Sequence, residues 1–244
     1  MSAVRAVWVH AVWWTFTALW TTAMALAMAV TLGRHKATLG AAMMRCWGRV
    51  TLAVAGVRLD VDPALAEDLR NRRGRVLVFN HSSTLDLLVG SAIMPPGGVT
   101  IAKQEMKRVP IIGWVMRVLD ILFIDRGDHA AATASLNAAA ARIARERLTI
   151  VAAPEGTRSA DGSLGPFKMG PFHMAAQAQV PVVALLWVGC PQLWPRKTWV
   201  PRSGVVRIVP IGEFAPVPVA EVRAQAERVR DAFVAALARW QGGR

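Results

Sequence analysis

The sequence is poor in cysteine and lacks several motifs that would define its chemistry. Cys46 and Cys190 are the only cysteines in 244 residues. Two isolated cysteines provide neither a disulfide framework nor zinc-ligand spacing, and they favour a reducing, cytosol-facing compartment. The sequence has no Gly-rich nucleotide loop and no Gly-x-Ser-x-Gly elbow, so neither a nucleotide-binding site of that type nor a serine esterase is expected. No internal repeat, long linker or low-complexity segment is present.

Acidic residues are also scarce. The chain has 16 Asp and Glu against 29 Lys and Arg, a formal net charge of +13. Such a surplus favours an anionic partner, either nucleic acid or a membrane surface. Hydrophobic residues make up 54% of the chain, and ten tryptophans occur without any tyrosine, which favours membrane lipids because Trp is enriched where apolar and aqueous phases meet. We find no nucleic-acid-binding motif and expect no nucleic-acid partner.

The N-terminal segment explains part of the apolar composition. Residues Ala6–Gly33 contain no Lys, Arg, Asp or Glu, and about 20 apolar residues suffice to cross a bilayer. Arg34 and Lys36 follow this run, so the positive-inside rule places the rest of the chain on the cytoplasmic face of the inner or plasma membrane. A signal peptide is the alternative, since residues 27–29 resemble a cleavage site, but the run is long for one.

A second apolar stretch, residues 37–57, leaves the type of anchor open. The first helix can span the membrane, or the two helices can form a hairpin that lies in one leaflet. In either case we expect residues 1–56 to form a helical membrane anchor. Residues 57–244 would then form one domain, because this length supports a single α/β domain with a good core.

Apolar strand-like runs alternate with helical segments after the anchor. The predicted strands are Val57–Val61, Arg75–Phe79, Val99–Ala102, Ile121–Ile124, Thr149–Ala153, Val182–Trp187 and Val205–Ile211. The predicted helices are Thr84–Ile93, Glu105–Leu119, His129–Arg147, Pro171–Gln179 and Val219–Trp240, with Asp128 as the N-cap of the third. This alternation predicts the α/β class, with a mostly parallel sheet flanked by helices.

The segment Asn80–Asp86, Asn-His-Ser-Ser-Thr-Leu-Asp, is the most informative in the chain. His81 follows a predicted strand, at the end of the sheet where open α/β folds place their ligands. Asp86 can reach back to one imidazole nitrogen, which leaves the other as a base for a substrate hydroxyl. The alternative is structural: Asp86 caps a helix, and His81 binds a loop carbonyl.

Three further segments give this pair a context. Phe-Ile-Asp-Arg occupies 123–126, Pro-Glu-Gly-Thr-Arg-Ser occupies 154–159, and Val-Pro-Val-Val-Ala-Leu occupies 180–185. In order and spacing, the four segments resemble the glycerolipid acyltransferase family, in particular the 1-acylglycerol-3-phosphate (lysophosphatidate) acyltransferases. The resemblance runs from about Val76 to about Phe214. The chain departs from the pattern at Met169, where a second lysine is common, and at Ala184 and Leu185, where the pattern usually has Pro-Val.

The resemblance implies an activity. A fatty acyl group would pass from acyl-CoA or acyl carrier protein to the free sn-2 hydroxyl of 1-acylglycerol 3-phosphate, giving phosphatidate. It implies no cofactor besides the thioester co-substrate. No metal is expected either, because no cluster of His, Cys and Asp has metal-ligand spacing. His81 would act as the base and Asp86 would fix its tautomer. The alternatives are another acceptor, such as glycerol 3-phosphate or a lyso-aminolipid, and a non-catalytic membrane-binding protein that keeps the fold.

The same segments contain the predicted substrate-binding residues. These are Lys103, Arg126, Glu155, Gly156, Thr157, Arg158 and Ser159. Arginine binds a phosphomonoester through two parallel hydrogen bonds, so Arg126 and Arg158 are predicted to hold the glycerol phosphate. Gly156 lets the backbone approach a ligand closely. Glu155 is predicted to orient an arginine or a glycerol hydroxyl. The alternative is an internal ion-pair network at the ends of the strands.

Residues 193–202, Leu-Trp-Pro-Arg-Lys-Thr-Trp-Val-Pro-Arg, interleave aromatic and cationic side chains. Such a loop can lie at an anionic lipid interface, with the rings among the headgroups and the cations on the phosphates. Alternatively, it is an ordinary basic loop whose tryptophans pack on the domain.

Overall fold

The computed structural model describes residues 3–31, 36–109, 112–119, 121–124, 129–158 and 163–242, with the backbone alone at 36, 37, 103, 112, 118, 129 and 130. The strands are β1 Val57–Val61, β2 Arg75–Phe79, β3 Gly98–Lys103, β4 Leu122–Ile124, β5 Thr149–Ala152, β6 Val182–Val188 and β7 Gly204–Phe214. The helices are α1 Ala3–Val30, α2 Lys36–Val54, α3 Pro63–Asp68, α4 Leu85–Ala92, α5 Ile112–Val118, α6 His129–Glu146, α7 Gly170–Ala178, α8 Cys190–Leu193 and α9 Val222–Gly242. Two 3₁₀ helices span Gln104–Arg108 and Val219–Glu221.

The strands form one sheet in the order β1-β7-β6-β2-β5-β3-β4. Every described strand pair is parallel except β6 with β7. Strands β2, β5 and β6 are buried along their whole length because helices cover both faces of the sheet. This burial explains why their sequences are continuous apolar runs rather than alternating patterns. The predicted α/β architecture, a mostly parallel sheet flanked by helices, is confirmed.

The core has one apolar cluster on each face of the sheet. Ile143, Phe172 and Phe233, from helices α6, α7 and α9, belong to one cluster. Leu52 and Leu88, from helices α2 and α4, belong to the other. Helix α2 is therefore part of the core of the domain as well as part of the predicted anchor, and the boundary drawn at residue 56 remains a prediction.

A glycine allows helices α2 and α4 to approach closely. A Cβ atom added to Gly48 would lie 2.4 Å from the backbone nitrogen of Ala92, which is closer than real Cβ atoms come. Helix α1 packs on the other side of α2, where the indole nitrogen of Trp13 donates to the carbonyl of Thr51 at 2.8 Å. The indole of Trp20 donates to the carbonyl of Met43 at 3.1 Å. Helix α1 thus lies along the domain.

Helix α1 has the length and composition of a membrane segment. Among the described residues it is the one helix long and apolar enough to cross a membrane, with a mean hydropathy of 1.2 in its most apolar window and 11% of that window buried. Its large exposed side chains include Trp8, Trp14 and Leu26. Length and composition alone do not distinguish a membrane-spanning helix from other apolar helices near an N-terminus.

The helical predictions need three corrections. The helix predicted at Glu105–Leu119 is a 3₁₀ helix followed by α5, and the sequence places Pro110, which lacks a backbone N–H, between them. Helix α3 was not predicted, although Asp62 caps it by accepting from the N–H of Leu65 and a proline begins it. The short helix α8 was also not predicted. The predicted N-cap Asp128 lies outside the described residues.

Candidate active site

His81 and Asp86 form a hydrogen-bonded pair in the turn between β2 and α4. The imidazole Nδ1 lies 2.9 Å from Asp86 Oδ2. The same oxygen accepts the backbone N–H groups of Ser82 at 2.7 Å and Ser83 at 2.8 Å. Asp86 is 1% exposed, whereas the side chain of His81 is 28% exposed. A carboxylate that accepts three hydrogen bonds requires Nδ1 to carry the proton, so Nε2 is left as the basic nitrogen.

The turn is fixed to its neighbouring strands by a second set of hydrogen bonds. The side-chain amide of Asn80 donates to the carbonyl of Trp187 at 3.1 Å and accepts its N–H at 2.8 Å. Phe79 stacks on the Trp187 ring with 3.7 Å between centroids. These contacts attach the end of β2 to β6. The position of His81 is therefore set by the sheet rather than by the turn alone.

Glu155 supports the same turn from the other side. It is 5% exposed, and its Oε1 accepts the backbone N–H of His81 at 2.7 Å. Its Oε2 accepts the N–H of Gly165 at 2.9 Å. Glu155 was predicted to orient an arginine or a glycerol hydroxyl. In the structure its carboxylate instead accepts backbone N–H groups, one of them that of His81. Within the described part of the chain it makes no ion pair with Arg158, so the alternative network is not formed by these two residues.

Arg158 lies at the N-terminal end of α4. Its Nη1 donates to the hydroxyl of Thr84, the residue before the helix. Arg196 donates to the carbonyl oxygen of Arg158 at 3.2 Å. The loop that carries Arg196 is attached to the turn through the Ser83 hydroxyl, which donates to the carbonyl of Trp194 at 3.0 Å. The two guanidinium groups thus give this edge of the site a positive charge.

Gly156 and Lys168 lie beside each other at the same edge. Gly156 has a φ of +72°, and a Cβ added there would come within 3.4 Å of Lys168 Cγ. Lys168 lines the main cavity together with His81. Lys168 was not among the predicted binding residues, although it lies within the stretch that carries the family resemblance. Thr157 is exposed in the same loop.

Three predicted binding residues are not placed by side-chain geometry. Lys103 ends strand β3, and its backbone alone is described. Arg126 and Ser159 lie outside the described residues. Their assignments stay predictions, based on the sequence pattern in which they occur.

His81 opens into a large apolar cavity of about 1440 Å³. Residues of strands β2 to β5 and of helices α1, α2, α4, α5, α6 and α7 line it. Its lining residues include Trp14, Met24, Trp47, Leu87, Met116 and Met174. Its size exceeds the 300–1,000 Å³ or so of common small-molecule pockets. A long apolar group can therefore lie beside the basic nitrogen of His81.

No nucleophile is paired with the imidazole among the described residues. The hydroxyl of Ser83 is committed to the Trp194 carbonyl, and the hydroxyl of Ser82 is buried away from any hydrogen-bond partner. Cys190 is buried, and burial together with the nearby Asp86 carboxylate raises the pKa of its thiol well above the usual value. A thiol in this state is not a nucleophile. The arrangement therefore suits activation of a hydroxyl that belongs to the substrate.

Comparison with known proteins gives this site a family. The family model described as Acyltransferase matches residues 62–187. The 1-acyl-sn-glycerol-3-phosphate acyltransferase of Saccharomyces cerevisiae is 32% identical over 194 residues, which are 78% of this chain and 63% of the yeast protein. The human 1-acyl-sn-glycerol-3-phosphate acyltransferase alpha is 34% identical over 166 residues, 65% of this chain and 57% of the human protein.

The fold has a solved counterpart. The crystal structure of the 1-acyl-sn-glycerophosphate acyltransferase of Thermotoga maritima superposes with a TM-score of 0.73 at 22% sequence identity, over 97% of this chain and 98% of that chain. The chain spans less than two-thirds of the yeast and human relatives. With the matched region containing both His81 and Glu155, the chain belongs to the Acyltransferase family.

Proposed function

We propose that this protein transfers a fatty acyl group from acyl-CoA or acyl carrier protein to the free sn-2 hydroxyl of 1-acylglycerol 3-phosphate, giving phosphatidate. The observation that carries the proposal is the His81–Asp86 pair, which lines an apolar cavity together with Lys168 and lies in the turn that Arg158 contacts through Thr84. The names of the yeast and human relatives support this acceptor. The reaction needs no cofactor besides the thioester.

The proposed mechanism is direct transfer. His81 Nε2 takes the proton of the acceptor hydroxyl while the hydroxyl oxygen attacks the thioester carbonyl carbon. The buried Asp86 carboxylate stabilises the imidazolium that forms and keeps Nδ1 protonated throughout. The tetrahedral intermediate then expels the thiolate, which takes the proton back from Nε2. One C–S bond is broken and one C–O bond is formed, without an acyl-enzyme.

In the proposed binding mode, the phosphate of the acceptor and the acyl chain occupy different parts of the site. Arg158 would hold the phosphate of the acceptor, assisted by Arg126 and Lys103 from the neighbouring predicted segments. The acyl chain of the donor or acceptor would occupy the apolar cavity, whose wall includes residues of α1 and α2. Glu155 contributes by holding the backbone of His81.

Product analysis tests this proposal. Purified full-length protein is given labelled acyl-CoA or acyl carrier protein with a panel of acceptors: 1-acylglycerol 3-phosphate, glycerol 3-phosphate and a lyso-aminolipid. We expect labelled phosphatidate with the first acceptor and a much lower rate with the others. Preference for either of the others would change the substrate but keep the reaction class. No transfer to any acceptor, from a folded protein, would contradict the proposal.

We also propose that α1 and α2 hold the enzyme at the cytoplasmic face of a membrane as a hairpin in one leaflet. Arg5, near the start of α1, donates to the carbonyls of Ala55 at 2.7 Å and Pro201 at 3.0 Å. These bonds keep the first turn of α1 on the domain. They support a helix that lies along the domain at the membrane surface rather than one that extends away from the domain across the bilayer. The exposed Trp199, at 81%, belongs to the loop beside Pro201 and extends the same surface.

Charges on the exposed face of α1 are expected to detach the protein. Trp8→Asp with Trp14→Asp should move most of the protein from the membrane pellet to the supernatant in high salt, because charged groups are disfavoured in the apolar layer. The two tryptophans are 55% and 70% exposed, so the folded domain should be preserved. Val219→Asp with Val234→Asp, at sites 48% and 45% exposed, is the matched control and should leave attachment unchanged. Release of the unsubstituted protein by salt alone would contradict an apolar anchor.

A further inference from the structure

A second cavity lies on the side of α2 that faces away from the main cavity. Its volume is about 350 Å³. Arg45, Arg49, Leu52 and Ala53 of α2 line it, spaced so that they share one stripe of the helix. Met43, Met44 and Trp47, on the opposite stripe, line the main cavity. The two cavities are therefore separated by helix α2, and we name the smaller one the arginine groove.

The arginine groove has an apolar floor and a basic rim. Its floor is formed by β1, α3 and the end of α4, with side chains that include Leu59, Val61, Leu69 and Ile93. Arg70 lies at the rim but is paired with Glu67 at 2.7 Å. Arg45 and Arg49 are the two cations on the α2 side. A groove of this kind matches an amphiphile, with an anionic head at the rim and an apolar chain on the floor.

Arg45 and Arg49 are neighbours on α2, one helical turn apart, and no carboxylate neutralises them in the described part of the chain. Arg45 donates to the carbonyl of Met94 at 3.1 Å. Partial burial, and then the charge of Arg49, lower the pKa of Arg45. Like charges one helical turn apart are destabilising. A bound anion would remove this repulsion, so the arrangement is more favourable with the groove occupied.

We propose that the arginine groove binds an anionic phospholipid at a site separate from the acyl-transfer site. The phosphate would lie on Arg45 and Arg49, whose planar guanidinium groups match it, and one acyl chain would cover the apolar floor. Free phosphate would leave that floor in contact with water. Helix α1 packs on the opposite side of α2, through Trp13, Trp20 and Trp47. The groove therefore lies on the side of α2 that α1 leaves uncovered, where Arg49 is exposed.

Lipid binding to the detergent-solubilised full chain tests the proposal. The number of bound lipids and their dissociation constants are measured by mass spectrometry of the intact complex, with phosphatidylglycerol and phosphatidylcholine as probes. Arg45→Gln with Arg49→Gln should weaken one phosphatidylglycerol site by about tenfold or more, the effect expected for losing charge-assisted hydrogen bonds. Ala53→Trp should weaken the same site by filling the groove while both charges remain, because Ala53 is exposed and can take a larger side chain.

Two controls separate this site from the others. Arg223→Gln with Arg228→Gln removes the same charge from exposed positions on α9 and should leave phosphatidylglycerol binding unchanged. Arg158→Ala alters the proposed acceptor site and should keep the phosphatidylglycerol site of the groove. The proposal is overturned if the Arg45 and Arg49 variant binds phosphatidylglycerol as the unsubstituted protein does, if phosphatidylcholine binds the groove equally well, or if millimolar inorganic phosphate displaces the lipid.

Discussion

Replacing His81 by alanine is expected to lower the rate of acyl transfer by about 10² to 10⁴, the usual contribution of a general base. His81 holds its Nδ1 on Asp86, so the nitrogen that remains is the one that takes the proton of the acceptor hydroxyl. Asp86→Asn should be nearly as severe, because an amide in this position no longer enforces the Nδ1–H tautomer. Both effects should appear in kcat at saturating substrates.

The structure supplies controls for this result. Ser82→Ala and Ser83→Ala should keep most of the activity, since neither hydroxyl contacts the imidazole. Asp86 also accepts two backbone N–H groups, so Asp86→Asn can loosen the turn as well as the tautomer. The melting temperature separates the two effects. His81→Ala keeps Asp86 and those N–H bonds, and it should melt close to the unsubstituted protein.

A rapid-quench assay decides between direct transfer and a covalent intermediate. The enzyme is mixed with acyl thioester and no acceptor. Direct transfer predicts no burst of free thiol, because no serine or cysteine side chain among the described residues is hydrogen-bonded to Nε2 of His81. A stoichiometric burst, together with an acylated protein, would replace the direct mechanism by a covalent one. Retention of full activity in a folded His81→Ala protein would refute both.

The central strands were predictable from the sequence because each is buried on both faces. Burial on both faces produces a continuous run of mostly apolar residues, which is easy to recognise. The turn with His81 and Asp86 was predictable for a related reason: it follows such a run directly, and the spacing of five residues permits the hydrogen bond that forms. The reversal of β7 relative to β6 was not predictable, since a strand sequence does not specify whether its neighbour runs parallel or antiparallel. Helix α2 as part of the core was missed because its apolar pattern also fits a membrane anchor.

Contacts across the sequence explain what else was missed. Glu155 lies 74 residues from His81, and its sequence position at a strand end does not distinguish binding a substrate from binding a backbone N–H. The contact of Arg196 with Arg158 joins two loops that no local pattern connects. In the sequence, Arg45 and Arg49 have the pattern of a basic segment that follows an apolar helix. The groove beside them forms only when β1 and α3 pack against α2. Such features depend on tertiary packing rather than on periodicity.

Replacing Arg158 by alanine is expected to raise the Michaelis constant of the acceptor selectively. Losing a charge-assisted hydrogen bond to phosphate costs about 1.5–3 kcal/mol, which corresponds to roughly 10- to 150-fold in affinity. The constant for the acyl thioester should change little, because the thioester reacts at the His81 end of the site. Arg158→Lys should recover part of the loss, since lysine keeps the charge without the planar fork.

A structural role for Arg158 makes a different prediction. Its guanidinium also donates to the Thr84 hydroxyl before α4, so it can simply support the turn with His81. In that case Thr84→Ala would lower kcat as Arg158→Ala does, and inhibition by glycerol 3-phosphate would be unchanged in both. If Arg158 holds the phosphate, Arg158→Ala should weaken inhibition by glycerol 3-phosphate in parallel with the acceptor constant. Arg202→Ala, which removes an exposed cation from the loop that follows Trp194, should leave both constants unaltered. An unchanged acceptor constant in a folded Arg158→Ala protein would place the phosphate elsewhere, with Arg126, Lys103, Lys168 and Arg196 as the remaining cations to test.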